Sequence, residues 1–402
     1  MTRYRWPIAS RVGIVLAGLF VTLVLLELAY AVGYYGIRHH KTYYQVRREL
    51  GSARLYVPDP DLGYRSAPNL RNKLIDTPPL PNAPRRHGGL VNTDAHGFRY
   101  DGVLASPKPP GEIRIFSLGG STTYGFVSNR QTYPARLQQM FAGDPRVKVI
   151  NVGVGGYRSI HLLTLFTKVV RRLEPDIITI HDGWNDYEDY FEPYWRPKDP
   201  HGNALLSQLR VYGAPLSRLA LGHLFVRAYF AAKGYDRREP LARQEDYVRR
   251  HRAAAGDPRW LDEYESNLQE LIALAKRDGV LPILILFPSP YFRNAAPEVK
   301  AFADENLNTW GRWDGFVVAL EAVEKRLRDL EHRNGIPLID ANAEFEKYNA
   351  DYQRKFDFFM DTKHLTEEGE RLLATTMYPC VRRAVELVRA RGREVVKERT
   401  RC

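Results

Sequence analysis

The sequence predicts an α/β fold: a three-layer α/β/α sandwich with a parallel central sheet, plus an N-terminal transmembrane helix. The sandwich is predicted because short apolar runs alternate with amphipathic runs of helical period between residues 111 and 392, as in parallel sheets covered by helices. The apolar runs are continuous, which indicates strands buried on both faces. The N-terminal helix is predicted because one stretch is uncharged for longer than a core strand requires.

Five strands and five helices are predicted, and a glycine loop follows each of the first three strands. The strands cover residues 113–118, 147–154, 175–183, 280–288 and 336–340. The helices, recognised by apolar residues at helical spacing, cover residues 132–143, 159–173, 260–279, 315–335 and 366–392. The last helix begins with acidic residues, which the helix dipole favours at that end.

The N-terminal apolar stretch is interpreted as a transmembrane helix or signal anchor over residues 12–36, after a short basic tail at residues 1–11. A run of this length can cross a hydrocarbon core of about 30 Å. The alternative is a signal peptide cleaved after Ala31, where small residues flank Tyr30. Both interpretations place the rest of the chain outside the cytoplasm, either membrane-anchored by a single span or exported.

The remaining domain organisation follows from composition. Residues 37–110 are rich in Pro, Asn and Arg and are expected to form an irregular wrapping segment rather than an independent core. The sandwich is expected to span residues 111–392, with an insert at about residues 187–258 that fits no strand–helix unit. Residues 393–402 are expected to form a basic tail.

Composition argues against several classes of function. The chain has 402 residues, with 59 Lys plus Arg against 47 Asp plus Glu and a formal charge of +12. The basic residues are scattered and form no recognised nucleic-acid module, so a solvated basic surface and no nucleic-acid partner are expected. Cys380 and Cys402 lack metal-ligand spacing, and neither a disulfide framework nor a zinc site is expected. Arg158 interrupts a dinucleotide-binding glycine pattern, and no cofactor is predicted.

Five polar or glycine positions are candidates for a functional site. Ser121, Gly156 and Asn185 each follow a predicted strand, and the carboxyl ends of parallel strands meet at one edge of a sheet. Asp361 and His364 lie three residues apart before the last helix. Serine, histidine and aspartate at one edge suit nucleophilic acyl transfer. Taken singly, each residue is also an ordinary turn, cap or surface residue.

Four segments resemble the four blocks of the SGNH hydrolases, the GDSL-type esterases and lipases. They read "LGGSTTYG", "NVGVGGY", "DGWND" and "DTKH", and the resemblance covers residues 111–390. One departure is that Gly120 stands where the family name has aspartate. The upstream "NTDAHGFR" is similar to a lead-in of larger bacterial members. The α/β-hydrolase elbow Gly-x-Ser-x-Gly is not matched, because Thr123 follows Thr122.

The resemblance implies a flavodoxin-like sandwich, a membrane-anchored bacterial member and a role for each candidate. Ser121 would be the nucleophile, His364 the base and Asp361 its orienting partner. The backbone N–H groups of Ser121 and Gly156 and the side-chain amide of Asn185 would form the oxyanion hole, without metal or cofactor.

Three functions are consistent with these residues. The first is a serine esterase that hydrolyses a carboxylic ester through an acyl-enzyme, with a small-molecule, cell-envelope glycan or lipid ester as substrate. The second is an O-acyltransferase that uses the same triad on a cell-surface polysaccharide. The third is a non-catalytic glycan-binding module that retains the fold.

Overall fold

The computed structural model describes most of the chain outside the predicted insert. The described residues are 8–30, 32–33, 55–75, 88–190, 198–200, 249–250, 252–307, 309, 311–397, 399–400 and 402. Most of the insert at residues 187–258 and parts of the wrapping segment, as well as the cleavage position Ala31, lie outside these residues. The chain divides into two compact units, Met1–Pro58 with Leu205–Glu239 and Asp59–Ala204 with Pro240–Cys402.

The described part of the first unit is dominated by one apolar helix, α1 (Ile8–Tyr30). Within it, Val12–Tyr30 has a mean hydropathy of 2.5, and none of this window is buried inside the protein. By length and composition the helix can cross a membrane, as the sequence predicts, and a signal sequence would have the same properties.

Nine strands lie in the described residues. Four short ones come first: β1 (Tyr56–Asp59), β2 (Gly63–Ser66), β3 (Lys73–Leu74) and β4 (Leu90–Val91). The other five form the central sheet: β5 (Ile113–Gly119), β6 (Val147–Asn151), β7 (Ile177–His181), β8 (Leu281–Leu286) and β9 (Leu338–Asp340). The sheet is parallel throughout, in the order β6-β5-β7-β8-β9. This is the flavodoxin-like order, and the predicted fold class is confirmed.

Helices alternate with the strands, as predicted. The helices after β5 with both ends among the described residues are α2 (Ser121–Tyr124), α3 (Tyr133–Met140), α4 (Ser159–Lys168), α5 (Trp184–Tyr190), α6 (Pro258–Arg277), α7 (Pro297–Leu307), α8 (Trp313–Asn334), α9 (Ala341–Glu346), α10 (Tyr352–Asp357) and α11 (Glu367–Arg391). Right-handed crossovers place α3 on one face of the sheet and α4, α6 and α8 on the other. Helix α11 packs beside α3. Strands β5, β7 and β8 are therefore buried along their whole length.

Two helix starts show why the chain folds this way locally. Helix α6 begins with Pro258, and the Asp257 side chain accepts a hydrogen bond from the backbone N–H of Arg259 at 2.9 Å. Helix α11 begins after Thr366, whose hydroxyl accepts from the backbone N–H of Gly369 at 3.3 Å. Both caps satisfy amide groups that have no intrahelical partner. The cap at Thr366 positions the residues just before it, which include His364.

The two cysteines form a disulfide, and the sequence prediction that they do not is wrong. Cys380 in α11 and Cys402 have Cα atoms 4.6 Å apart, a separation that suits a disulfide. The chain folds back toward Cys380 after α11, which is capped by Gly392 and followed by a short 3₁₀ helix. The N–H of Thr400 then donates to the carbonyl of Gly335 at 2.9 Å. Spacing along the sequence did not show this reversal.

Candidate active site

Ser121 lies at the carboxyl edge of the sheet, where the sequence predicts it. Strand β5 is buried over its full length, and the chain passes through Gly120 into α2 at Ser121. Ser121 keeps 8% of its surface exposed. Its Oγ lies 2.7 Å from Nε2 of His364. The side chain therefore points to the site rather than into the core.

Asp361 completes a hydrogen-bonded chain with His364 and Ser121. Its Oδ2 lies 2.5 Å from Nδ1 of His364, and its Oδ1 accepts from the backbone N–H groups of Lys363 at 2.9 Å and His364 at 2.8 Å. Burial alone would raise the pKa of Asp361, but the charge and hydrogen bonds of His364 and the two backbone N–H groups hold it at about 2. The carboxylate is thus ionised at neutral pH and holds Nδ1 as a donor.

Gly156 lies in the loop between β6 and α4. Its φ is +85°, a conformation that glycine adopts without steric cost. An ideal Cβ at this position would lie 2.6 Å from the hydroxyl of Tyr64. The N–H of Val154 donates to the carbonyl of Gly119 at 3.1 Å, which attaches this loop to the end of β5 close to Ser121.

Asn185, in the first turn of α5, lies against the backbone before the serine. Its Nδ2 donates to the carbonyl of Tyr157 at 2.7 Å. An ideal Cβ on Gly120 would lie 2.6 Å from the same Nδ2. A side chain at position 120 would therefore require the amide of Asn185 to move.

The polar groups beneath these loops are buried, and burial shifts their pKa values toward the uncharged forms. Burial lowers the pKa of His181 to about 3, so its imidazole is neutral. Burial also raises the pKa of Asp182, and the neighbouring charge of Asp186 raises it further. Burial raises the pKa of Asp186 as well. Asp186 accepts from the hydroxyl of Ser159 at 2.5 Å. Among the described residues, no group of three or more His, Cys, Asp or Glu side chains is arranged to hold a metal ion.

Two buried side chains from the segment before the sheet contact the site loops, and sequence reasoning missed both as site residues. Arg99 donates through its guanidinium to the carbonyls of Tyr124 at 2.5 Å, Gly125 at 2.7 Å and Val127 at 2.7 Å. It thereby binds the backbone just after α2. Tyr64 donates to the glycine loop before α4. Arg99 is the last residue of the stretch "NTDAHGFR", and this motif could have marked it as a site residue. No motif marked Tyr64.

A cavity of about 400 Å³ is lined by Phe126 and by none of the five predicted site residues. Phe126 also packs edge-on against the imidazole of His364, with ring centroids 4.4 Å apart. The rest of the lining mixes polar and apolar groups and includes Ser128, Gln131 and Glu367. On another side of His364, the ammonium of Lys363 pairs with the carboxylate of Glu188 on α5.

Residues 117–372 match the model of the GDSL-like lipase/acylhydrolase family. This match covers well over half of the chain and includes all five predicted site residues. The chain belongs to the GDSL-like lipase/acylhydrolase family. It is therefore a hydrolase that acts on ester bonds, as the resemblance of its four segments implies.

Solved structures resemble the chain at low sequence identity. An acetyl xylan esterase, AlAXEase, is 16% identical with a TM-score of 0.42, covering 67% of this chain and 100% of its own. A GDSL-like lipase from Parabacteroides merdae is 15% identical with a TM-score of 0.39, covering 68% of this chain and 96% of its own. Axe2, an acetylxylan esterase from Geobacillus stearothermophilus, is 13% identical with a TM-score of 0.38, covering 68% of this chain and 94% of its own. Curated protein sequences give no significant match.

Proposed function

We propose that this acylhydrolase is a serine esterase that cleaves a carboxylic ester through an acyl-enzyme. Ser121 is the nucleophile, His364 the general base and Asp361 the group that orients the imidazole. The observation that carries the proposal is the pair of hydrogen bonds that His364 makes: its Nδ1 donates to Asp361 at 2.5 Å, and its Nε2 accepts from the hydroxyl of Ser121 at 2.7 Å. Both lengths suit a nucleophile, a base and its orienting partner.

In the first step, Ser121 Oγ attacks the acyl carbon while Nε2 of His364 takes the hydroxyl proton. The carbonyl oxygen becomes negative, and we assign three N–H donors to it: the backbone of Ser121, the backbone of Gly156 and the amide of Asn185. Among the described residues, neither backbone N–H donates to another backbone group. One N–H of Asn185 bonds to Tyr157, which leaves the second for the oxyanion. Donors fixed before the reaction stabilise the developing charge without reorganisation.

The leaving alcohol then receives its proton from Nε2, so it departs on the His364 side. Water activated by the same nitrogen hydrolyses the acyl-enzyme. We infer that the substrate is an ester of the cell envelope, an acylated glycan or lipid, because the catalytic unit is proposed below to work outside the cytoplasm.

The experiment that tests the proposal is labelling of the full-length protein with a fluorophosphonate, followed by peptide mapping. We expect the label on Ser121 and its loss when the protein is first saturated with an activated acetate ester. Label on Ser117 or Ser159, or no hydrolysis of the ester, would contradict the proposal. Transfer of the acetyl group to an added oligosaccharide in preference to water would identify an O-acyltransferase with the same triad.

We also propose that the catalytic unit works outside the cytoplasm, with α1 as its anchor. The disulfide between Cys380 and Cys402 supports this location, because disulfides persist in oxidising compartments. The apolar length of α1 supports the anchor.

The location has its own expected result. Protein isolated from the cells that make it, with thiols blocked at lysis, should show no free thiol before reduction and two afterwards. The same protein should remain in the membrane fraction after washing with alkaline carbonate. A reduced pair of thiols would argue against the outside location. A mature N-terminus at Val32 would instead show that the apolar segment is a cleaved signal.

A further inference from the structure

Tyr64, outside the family match, holds the peptide group that carries one proposed oxyanion donor. The residue lies on β2 and is 4% exposed. Its hydroxyl donates to the carbonyl of Gly155 at 2.7 Å. The contact is mutual, since the hydroxyl of Tyr157 donates to the carbonyl of Tyr64 at 2.6 Å and the two rings pack edge to face, 5.4 Å apart.

The carbonyl of Gly155 and the N–H of Gly156 belong to the same peptide group. A trans peptide is planar, and its C=O and N–H point in opposite directions. A hydrogen bond that fixes the direction of the Gly155 oxygen therefore fixes the direction of the Gly156 N–H as well. The Tyr64 hydroxyl lies at the oxygen end of this peptide group, and the N–H of Gly156 points away from that end.

This peptide needs such a contact because both of its residues are glycine. Glycine populates positive and negative φ about equally, so a Gly–Gly peptide can rotate unless something holds it. The neighbouring bonds hold the loop on either side: Gly153 N–H donates to Oδ1 of Asn151 at 3.0 Å, and Tyr157 N–H donates to the carbonyl of Val154 at 3.2 Å. Among the described residues, the Tyr64 hydroxyl is the group bonded to the peptide itself.

We propose that Tyr64 is a positioning residue for ester hydrolysis, whose hydroxyl directs the N–H of Gly156 toward the oxyanion. The inference rests on the proposed function, since it assigns Gly156 to the oxyanion hole. It adds that a segment outside residues 117–372, the range of the family match, completes the site of this chain.

The test is Tyr64→Phe, which keeps the ring and removes the hydroxyl. Loss of a whole oxyanion donor lowers kcat by about 10²–10³-fold, and a donor that is present but less well directed should cost less. We expect kcat for an activated acetate ester to fall about 10-fold with KM within about two-fold, because the donor acts on the transition state. Inhibition by an alkylboronic acid, which forms a tetrahedral adduct with the serine, should weaken by about the same factor.

Thr93→Val is the matched control. Thr93 lies in the same segment and is fully buried, and its hydroxyl also donates to a backbone carbonyl, that of Ala67, at 2.7 Å. The same hydroxyl accepts from the backbone N–H of Leu70 at 2.9 Å, so Thr93→Val removes a buried hydroxyl–carbonyl bond and a second bond, both away from the site. We expect Thr93→Val to lower the melting temperature at least as much as Tyr64→Phe does, while kcat stays within about two-fold of the wild type.

A second variant approaches the same contact from the glycine. In Gly156→Ala the new Cβ would lie 2.6 Å from the Tyr64 hydroxyl, so the hydroxyl must leave Gly155, and kcat should again fall at least about 10-fold. If Tyr64→Phe does not fold, a wild-type kcat in Gly156→Ala overturns the positioning role; alanine at a φ of +85° also strains the donor peptide itself.

The outcomes separate the two proposals. Wild-type kcat in Tyr64→Phe, or in Gly156→Ala, overturns the positioning role while the labelled Ser121 keeps the esterase proposal. An equal loss of kcat in Thr93→Val also overturns it, since the effect would then come from the stability of the segment. A wild type without esterase activity overturns both.

Discussion

Replacement of Ser121 by alanine should lower kcat for a small activated ester by about 10⁶-fold, the size of effect seen when the nucleophile of a serine hydrolase is removed. The reason is that the acyl-enzyme cannot form, because Nε2 of His364 then has no hydroxyl within its reach of 2.7 Å. The fold should persist, since Ser121 lies at the edge of the sheet rather than in its core. The measurements are steady-state hydrolysis and a thermal melt of both proteins.

Ser117→Ala is the control for this variant. Ser117 lies on β5, four residues before Ser121, and is fully buried. Its replacement therefore removes a serine hydroxyl from the strand that leads to Ser121 without changing the proposed site. Its kcat should remain within about two-fold of the wild type. If Ser121→Ala keeps more than about one-hundredth of the wild-type activity, the nucleophile lies elsewhere.

The second largest effect is expected for Asp361→Asn, which should lower kcat at pH 7 by about 10⁴-fold. Both oxygens of Asp361 accept hydrogen bonds, Oδ2 from Nδ1 of His364 and Oδ1 from the backbone N–H groups of Lys363 and His364. An amide has one acceptor oxygen, so if that oxygen keeps the backbone bonds its NH₂ faces Nδ1. The imidazole then carries its proton on Nε2 and cannot accept the proton of Ser121.

The pH dependence of stability gives this variant a second readout. The folded pKa of Asp361, about 2, lies below its ordinary value of 3.8, so its carboxylate stabilises the fold above that ordinary value and loses this contribution as pH falls toward 2. The melting temperatures of wild type and Asp361→Asn should therefore approach each other between about pH 4 and pH 2. Asp351→Asn is the control for an aspartate-to-asparagine change away from the triad. The Asp351 side chain accepts a hydrogen bond from the backbone N–H of Arg354 at the start of α10, and an asparagine can keep this cap. A fall in kcat of less than 10-fold in Asp361→Asn would show that another group orients His364.

The sheet could be predicted because its signals are local. Strands β5 and β7 are largely apolar runs that lead into glycines, Gly120 and Gly183, and each glycine is followed by a polar residue of the site, Ser121 or Asn185. Since parallel strands end at a common edge, their order along the chain was enough to predict that these residues meet. The roles of the five site residues remain predictions, now supported by the geometry between Ser121, His364 and Asp361.

The cysteine prediction was wrong for a physical reason. Cys380 and Cys402 are separated by 22 positions, and nothing in that spacing distinguishes a chain that continues outward from one that folds back. The reversal depends on the end of α11 at Gly392 and on the bond from Thr400 to Gly335, a partner more than sixty residues earlier. Contacts of this range are decided by packing.

The sequence by itself determined the α/β class, the order of strands and helices, the apolar N-terminal helix and the family, because each depends on the period of apolar residues or on short motifs. Only the tertiary structure decided which distant groups support those motifs. Tyr64 reaches Gly155 across 91 positions, and Arg99 binds carbonyls some 25 to 28 residues later. Which side chain is buried at such a place depends on the space there and on the backbone groups that need a hydrogen-bond partner. That space and those backbone groups exist only once the sheet has formed and the segment before it has packed against the site loops.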